Sequence, residues 1–119
     1  MKHLVMMVSG AEDGLRMTMA LSLGISALAM GDDVTLFVAG DGFCWVQRDN
    51  ELQETRINGF ESVGNLLREL IDLGGELMVA PCTASNFEFG GQLVEGATVG
   101  SIAQAAGCAG ERDTKVYVF

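Results

Sequence analysis

The stretch GGELMVAPCTAS, from Gly74 to Ser85, decides how the rest of the chain is interpreted. The run from Leu77 to Ala80 is continuously apolar and too short for a helix, which is typical of a strand buried on both faces of a sheet. Pro81 has no backbone N–H to donate and holds the preceding residue extended, so we expect the strand to end there and Cys82 to begin a loop. Because ligands bind at the carboxyl ends of the strands in parallel α/β sheets, Cys82 is the leading candidate for chemistry.

The composition favours one folded domain over residues 1–119. Hydrophobic residues make up 49% of the chain and charged residues 19%, which argues against disorder and provides a core. So rich an apolar content in a small domain also predicts burial between the subunits of a homo-oligomer.

The charge balance excludes several classes of partner. The formal net charge is −9, and the basic residues are scattered singly. Nucleic acid and anionic membranes would be repelled, whereas a basic partner protein is compatible with this surface. No apolar run reaches membrane-spanning length and the N-terminus lacks the pattern of a secretory signal, so we expect a cytoplasmic location.

Apolar patterns along the chain alternate between strands and helices. The predicted strands are 4–8, 34–39, 77–80, 97–99 and 115–119, and the predicted helices are 13–30, 62–73 and 101–106. Ser9 and Glu12 have the spacing of a capping box for the first helix, which Gly31 is expected to end. Gly24 is expected to let this helix approach the strands closely. The polar segment 46–59 predicts a surface loop and a candidate lid. Together these elements predict a five-stranded, three-layer α/β/α domain.

Cys82 has both a functional and a structural interpretation. A thiol at a strand end can lie at the N-terminus of the next helical turn, where the pKa of the thiol is lowered. The Cys-x-x-Ser spacing places the Ser85 hydroxyl one turn further on, within reach of the sulfur. The alternative is that Cys82 is a small buried apolar residue, as many free cysteines are.

Cys44 and Asp41 follow the second predicted strand at the same edge of the sheet. Cys44 is interpreted either as a resolving thiol or second sulfur carrier, or as a residue that packs beside Trp45. Asp41 lies between two glycines, which is most often a turn position.

Glu12 and Arg16 follow the first predicted strand. Glu12 is interpreted as a proton carrier or as a helix-cap acceptor. Arg16 is interpreted as a positive charge near a thiolate, or as a partner of Asp13 in the first helical turn.

The sequence predicts neither a metal site nor a bound cofactor. Cys44, Cys82 and Cys108 lie far apart with no Cys-x-x-Cys pair, and no phosphate loop or complete dinucleotide fingerprint is present. Cys108 follows a helix that returns to the opposite edge, so we expect a structural role. The single histidine, His3, also lies at the opposite edge, which argues against a Cys-His catalytic pair.

Several short motifs of the chain occur together: Ser9-Gly10-x-Glu12-Asp13-x-x-Arg16, Ala20-Leu21, Gly31-x-Asp33-Val34-Thr35-Leu36-Phe37, Asp41-Gly42, and the helix that leads to Gly75, a short strand and Cys82. This set resembles the DsrE/DsrF-like family, whose small α/β proteins include subunits of bacterial sulfur relay systems. The resemblance implies a flavodoxin-like, mostly parallel sheet and assembly into trimers or hexamers. In sulfur-relay members it implies a persulfide on the cysteine that matches Cys82. Many members carry an Arg-Gly pair after this cysteine, where the present chain reads Phe89-Gly90-Gly91-Gln92.

The leading hypothesis is therefore a sulfur-relay protein, a sulfurtransferase that receives sulfane sulfur on Cys82 from a donor protein and passes it to an acceptor thiol. One alternative is a non-catalytic oligomeric binding or assembly module with an inert Cys82. Another is a thiol-redox protein with a Cys44–Cys82 disulfide, which requires the two Cα atoms to lie within about 7 Å.

Overall fold

The computed structural model describes residues 1–80 and 93–119. In chain order the elements are β1 (Lys2–Met7), α1 (Gly14–Ala29), β2 (Asp33–Val38), a first 3₁₀ segment (Gly40–Val46), a second 3₁₀ segment (Glu51–Glu54), α2 (Val63–Asp72), β3 (Glu76–Val79), β4 (Ala97–Val99), α3 (Ile102–Ala109) and β5 (Thr114–Val118). Each predicted strand and helix is present, with modest shifts at its ends. None of the helices in the described ranges is long and apolar enough to cross a bilayer.

The strands form one sheet in the order β4-β3-β2-β1-β5. All four pairings between these strands are parallel. β1 lies between β2 and β5, which explains why its sequence is apolar on both faces. The flavodoxin-like, five-stranded α/β fold predicted from the sequence is confirmed.

Helices cover both faces of the sheet and produce three layers. On one face α1 and α2 pack through residues such as Met17, Leu21 and Leu70 onto the strands, forming the larger core cluster. On the other face a smaller cluster includes Phe37 of β2 and Ala105 of α3. The second face is therefore covered less completely, because only the short helix α3 lies on it among the described elements.

Two glycines set the position of α1. A Cβ on Gly24 would lie 2.9 Å from Cδ1 of Leu70 and 3.3 Å from Cγ1 of Val34, so α1 approaches both α2 and β2 closely at this point. The predicted close approach is thus present, and the tightest contact is to the neighbouring helix. Gly31 has a φ of 88° directly after the C-cap residue and ends the helix as expected.

The predicted capping box at the start of α1 is wrong. The N-cap is Asp13, whose side chain makes no cap hydrogen bond. A turn closed by the bond from Asp13 N to Gly10 O, 3.0 Å long, separates Ser9 from the helix. Ser9 and Glu12 are consequently too early in the chain to serve as cap and N3 residues.

The segment 46–59 is more ordered than the polar pattern suggested. The first 3₁₀ segment places Phe43, Trp45 and Val46 in the core. Beyond it, Gln47 forms an antiparallel bridge to Leu93, and Val94 N donates to Val46 O at 2.9 Å. The start of the predicted lid is therefore fixed to the chain that returns at Leu93.

Candidate functional site

The carboxyl ends of the central strands lie together at one edge of the sheet. Ala39 N donates to Met7 O at 3.1 Å, and Ala80 N donates to Val38 O at 2.9 Å. The loops that follow β1, β2 and β3 consequently begin at the same edge, which we call the carboxyl edge. In parallel α/β sheets this is where ligands bind, so it is the candidate functional site.

Two of the predicted site residues, Cys82 and Ser85, lie outside the described residues. The structure describes this part of the chain up to Ala80, which is buried and hydrogen-bonded to β2. The roles assigned to Cys82 and Ser85 stay predictions. What the described residues reveal is the chemistry of the neighbouring loops.

Gly42 and Trp45 hold the loop after β2 against the loop after β1. A Cβ on Gly42 would lie 2.5 Å from the Met7 carbonyl oxygen, so only glycine fits this approach to the end of β1. The Trp45 ring is fully buried, and its Nε1 donates to the Ser9 carbonyl oxygen at 3.1 Å. No motif in the sequence indicates this anchoring role, although Trp45 is the only tryptophan in the chain.

Cys44 is half-buried beside this anchor. Its Sγ donates to the Asp41 carbonyl oxygen at 3.2 Å, and its own carbonyl accepts a hydrogen bond from Asn50 Nδ2 at 2.9 Å. Burial raises the pKa of the Cys44 thiol, and the nearby Glu12 and Asp41 carboxylates raise it further. Cys44 is therefore held as a thiol, the less nucleophilic form, at neutral pH.

Glu12 and Asp41 make the described part of the carboxyl edge acidic. A Cβ on Gly10 would lie 3.0 Å from Glu12 Oε2 and 3.3 Å from Asp41 Cβ, so both side chains flank the loop after β1. Both residues are exposed, which leaves their carboxylates accessible to a binding partner. This edge is suited to a cationic group and repels an anionic one.

Arg16 does not neutralise this acidic edge directly. Its Nε lies 3.4 Å from Asp13 Oδ2, an i,i+3 pair in the first turn of α1, and its side chain is 62% exposed. The pairing with Asp13 is one of the two interpretations that the sequence allowed. A role for Arg16 in stabilising a thiolate stays a prediction.

Neither a metal centre nor a deep cavity marks the carboxyl edge in residues 1–80 and 93–119. No group of three His, Cys, Asp or Glu side chains in these ranges is arranged to hold a metal ion. A pocket of about 610 Å³ lies instead between α2 and the segment that contains Arg48 and Asp49, away from Cys44. The described part of the site is thus a shallow, acidic loop surface.

Comparisons with known proteins agree on the family and the fold. The model of the DsrE/DsrF-like family matches residues 1–117. The crystal structure of the YchN protein from E. coli superposes with a TM-score of 0.73 at 17% sequence identity, and the match covers 100% of each chain. At this identity the likeness to YchN supports the fold alone. No curated protein sequence matches the chain significantly.

Proposed function

Because the chain belongs to the DsrE/DsrF-like family, we propose that it acts in sulfur relay and carries sulfane sulfur as a persulfide on Cys82. The observation that carries this proposal is the end of β3 at the carboxyl edge, from which the sequence continues through Pro81 to Cys82. A cysteine directly after a buried parallel strand follows the rule that chemistry collects at this edge.

The reaction transfers one sulfur atom without net oxidation. The Cys82 thiolate attacks the terminal sulfur of a donor persulfide, the S–S bond of the donor breaks, and the donor leaves as a thiolate. The sulfane sulfur is then held on Cys82 as a new persulfide. An acceptor thiolate attacks that terminal sulfur in turn and regenerates the Cys82 thiolate.

The surroundings of Cys44 support Cys82 as the carrier. Burial and the Glu12 and Asp41 carboxylates raise the pKa of Cys44, so Cys44 contributes little thiolate at neutral pH. The same carboxylates favour donor and acceptor proteins that present a basic face. Such proteins would meet this chain in the cytoplasm, where thiols stay reduced.

Loading with a persulfide donor tests the proposal. We expect the intact mass of the wild-type chain to increase by one sulfur atom and to return to its starting value after reduction. The Cys82→Ser chain should lose this gain, whereas Cys44→Ser and Cys108→Ser, the matched controls, should retain it. Equal loading of Cys82→Ser and wild type would overturn the assignment of the site.

We also infer that copies of this chain associate as a trimer or hexamer through the less covered face of the sheet. Val116 and Val118 of the edge strand β5 are 45% and 65% exposed, and Ile102 at the start of α3 is 63% exposed. Exposed apolar side chains on an incompletely covered sheet face are typical of a subunit interface. We expect a second copy of this chain to cover this face. The chain is rich in apolar residues, and a symmetric assembly buries the same apolar residues on every copy.

Light scattering after size-exclusion chromatography tests the assembly. The wild-type chain should elute as a trimer or hexamer, and Val118→Glu should shift it toward the monomer. Leu73→Glu, which changes an exposed apolar residue after α2, is the control and should leave the mass unchanged. A wild-type monomer at micromolar concentration would contradict the inference.

A further inference from the structure

A pocket lined by charges of both signs lies beside α2. It has a volume of about 610 Å³ and is enclosed by α2, the segment 48–53 and the segment 94–96. This volume falls within the range of small-molecule sites, roughly 300–1,000 Å³. None of the described residues that line it is a cysteine, so its chemistry is separate from that of the thiols.

Contacts between the walls fix the shape of this pocket. Gln53 Nε2 donates to the Gln47 carbonyl oxygen at 2.8 Å, which closes one wall on itself. Val94 N donates to the Val46 carbonyl oxygen at 2.9 Å and fixes the wall that returns toward β4. A Cβ on Gly64 would lie 3.1 Å from the Gln53 carbonyl oxygen, so α2 packs directly against the second 3₁₀ segment. Walls that are already fixed need little ordering when a ligand binds.

Apolar side chains line one part of the pocket. Leu67 and Ile71 lie one turn apart on α2, and Val94 faces the same space. A Cβ on Gly96 would lie 3.0 Å from Ile71 Cγ2, so the wall that returns toward β4 packs onto these side chains. The apolar body of a ligand would be buried against this part of the pocket.

The charged side chains of the pocket do not pair with one another. They are two arginines, Arg48 and Arg68, and three acidic residues, Asp49, Asp72 and Glu95. Within residues 1–80 and 93–119, none of the five takes part in an ion pair or a side-chain hydrogen bond. Arg68 and Asp72 have the i,i+4 spacing at which an ion pair can form, and still no pair is made. Both signs of charge are therefore free to bind a ligand.

The balance of these charges favours a zwitterion. A simple anion would meet two guanidinium groups but also three carboxylates, in a chain with a formal net charge of −9. A simple cation would leave the two guanidinium groups without a partner. A molecule with one carboxylate and one ammonium group matches both signs, and a carboxylate suits the forked geometry of a guanidinium.

We propose that this pocket binds a small zwitterion with an apolar body, of the class of dipeptides with apolar side chains. Arg48 and Arg68 hold its carboxylate. Its ammonium group faces the carboxylates of Asp72 and Glu95, and its apolar side chains contact Leu67. The site is additional to the persulfide carrier proposed above and does not depend on it.

Three forms of leucyl-leucine test the proposal by NMR titration of the isotope-labelled full chain. The free dipeptide carries both charges, N-acetyl-leucyl-leucine keeps only the carboxylate, and leucyl-leucinamide keeps only the ammonium group. We expect saturable shifts of the Gly64, Val94 and Gly96 amide signals with the free dipeptide, and binding about twofold to fivefold weaker for each capped form. Absence of saturable shifts at about 10 mM dipeptide would overturn the proposal, as would a capped form that binds as tightly as the free one.

Arginine variants test the contact to the carboxylate. Arg68→Met should weaken binding of the free dipeptide by about twofold to fivefold, because it removes one guanidinium group. Binding of leucyl-leucinamide should change little, since this form lacks the charge that Arg68 holds. Arg112→Met, a change to an exposed arginine outside the pocket, is the control and should leave binding of both forms unchanged. Equal affinities of the two variants for the free dipeptide would contradict the proposed site.

Acidic-residue variants test the contact to the ammonium group. Asp72→Asn should weaken binding of the free dipeptide by about twofold to threefold and leave binding of N-acetyl-leucyl-leucine unchanged. Glu69→Gln changes an exposed carboxylate on α2 that does not line the pocket and should weaken neither form. If Asp72→Asn weakened both forms equally, the ammonium group would not face Asp72. Because none of the probes contains sulfur, the outcome is independent of persulfide transfer.

Discussion

The two edges of the sheet give their thiols different charged neighbours. At the carboxyl edge Cys44 lies among the Glu12 and Asp41 carboxylates, which raise the pKa of its thiol. At the amino edge Cys108 lies beside the Lys2 ammonium. The comparison teaches that carboxylates from other parts of the chain, and not the cysteine itself, determine how readily Cys44 forms a thiolate.

The most disruptive change to the carboxyl edge should be Trp45→Ala. Trp45 is fully buried and joins the loop after β2 to the Ser9 carbonyl, so we expect the free energy of unfolding to fall by about 3–5 kcal/mol. Urea unfolding monitored by circular dichroism measures this loss. Trp45→Phe keeps most of the ring but not the hydrogen bond and should lose less. A loss below about 1 kcal/mol for the alanine variant would show that the loop is not anchored through Trp45.

Two glycine substitutions compare the packing of the two edges. Gly42→Ala places a Cβ against the Met7 carbonyl oxygen and should lower the free energy of unfolding by about 1–3 kcal/mol. Gly107→Ala lies in α3 with open space around its Cβ and should raise that free energy by up to about 1 kcal/mol. Urea unfolding of both variants checks the signs. A Gly42→Ala chain as stable as wild type would contradict the close approach of the loop to β1.

The rate of Cys44 alkylation in the native chain tests how the acidic carboxyl edge affects this thiol. Cys44 should react with iodoacetamide mainly at alkaline pH, because burial and the two carboxylates raise its pKa. Glu12→Gln removes one of these carboxylates, so the pKa of Cys44 should fall and its rate at neutral pH should rise by about twofold to threefold. Glu61→Gln, a change to an exposed carboxylate just before α2, is the control. An unchanged Cys44 rate in Glu12→Gln would show that the Glu12 carboxylate does not act on the sulfur.

The smallest expected effect concerns a hydrogen-bonded pair at the amino edge. His3 Nε2 lies 2.8 Å from Asp32 Oδ2, and the hydrogen bond from His3 lowers the pKa of Asp32 below its ordinary value of 3.8. A lowered carboxyl pKa contributes stability that is present above the unfolded pKa and is lost as the pH falls through the folded pKa. Asp32→Asn should therefore be less stable than wild type near neutral pH, and the difference should shrink in acid.

Thermal unfolding as a function of pH measures this effect. Asp33→Asn, which changes an exposed neighbour outside the described ion pairs, should follow the wild-type curve. A difference between Asp32→Asn and wild type that grew on acidification would contradict the sign derived for Asp32.

The sequence predicted the fold well because its strands are short apolar runs and its helices have a clear apolar face. The parallel sheet, the three layers and the end of α1 at Gly31 all follow from local patterns. The predicted capping box is wrong because the turn between Gly10 and Asp13 places the start of the helix later in the chain. Residue spacing alone does not indicate this turn. The order of the segment after β2 was underestimated. Trp45 is held there by a hydrogen bond to the Ser9 carbonyl, which is distant in sequence, so no local pattern indicates it.

The candidate site could be predicted only in outline. Asp41, Cys44 and Glu12 follow the ends of β1 and β2. Their placement at the carboxyl edge could therefore be predicted from the order of strands and helices. The acidic surroundings of Cys44 and the Lys2–Cys108 contact join residues that are far apart in sequence, so no motif indicates them.

The most direct test of the central claim is to map sulfane sulfur in the wild-type chain after brief exposure to a limiting amount of persulfide donor. Cleavage after glutamate separates the three cysteines, since Glu76 and Glu88 bracket Cys82 while Glu95 and Glu111 bracket Cys108. After blocking of thiols and persulfides, we expect the additional sulfur on the peptide that contains Cys82, with Cys44 and Cys108 unloaded. Additional sulfur on the Cys44 peptide, or on none of the three, would contradict a relay that operates through Cys82.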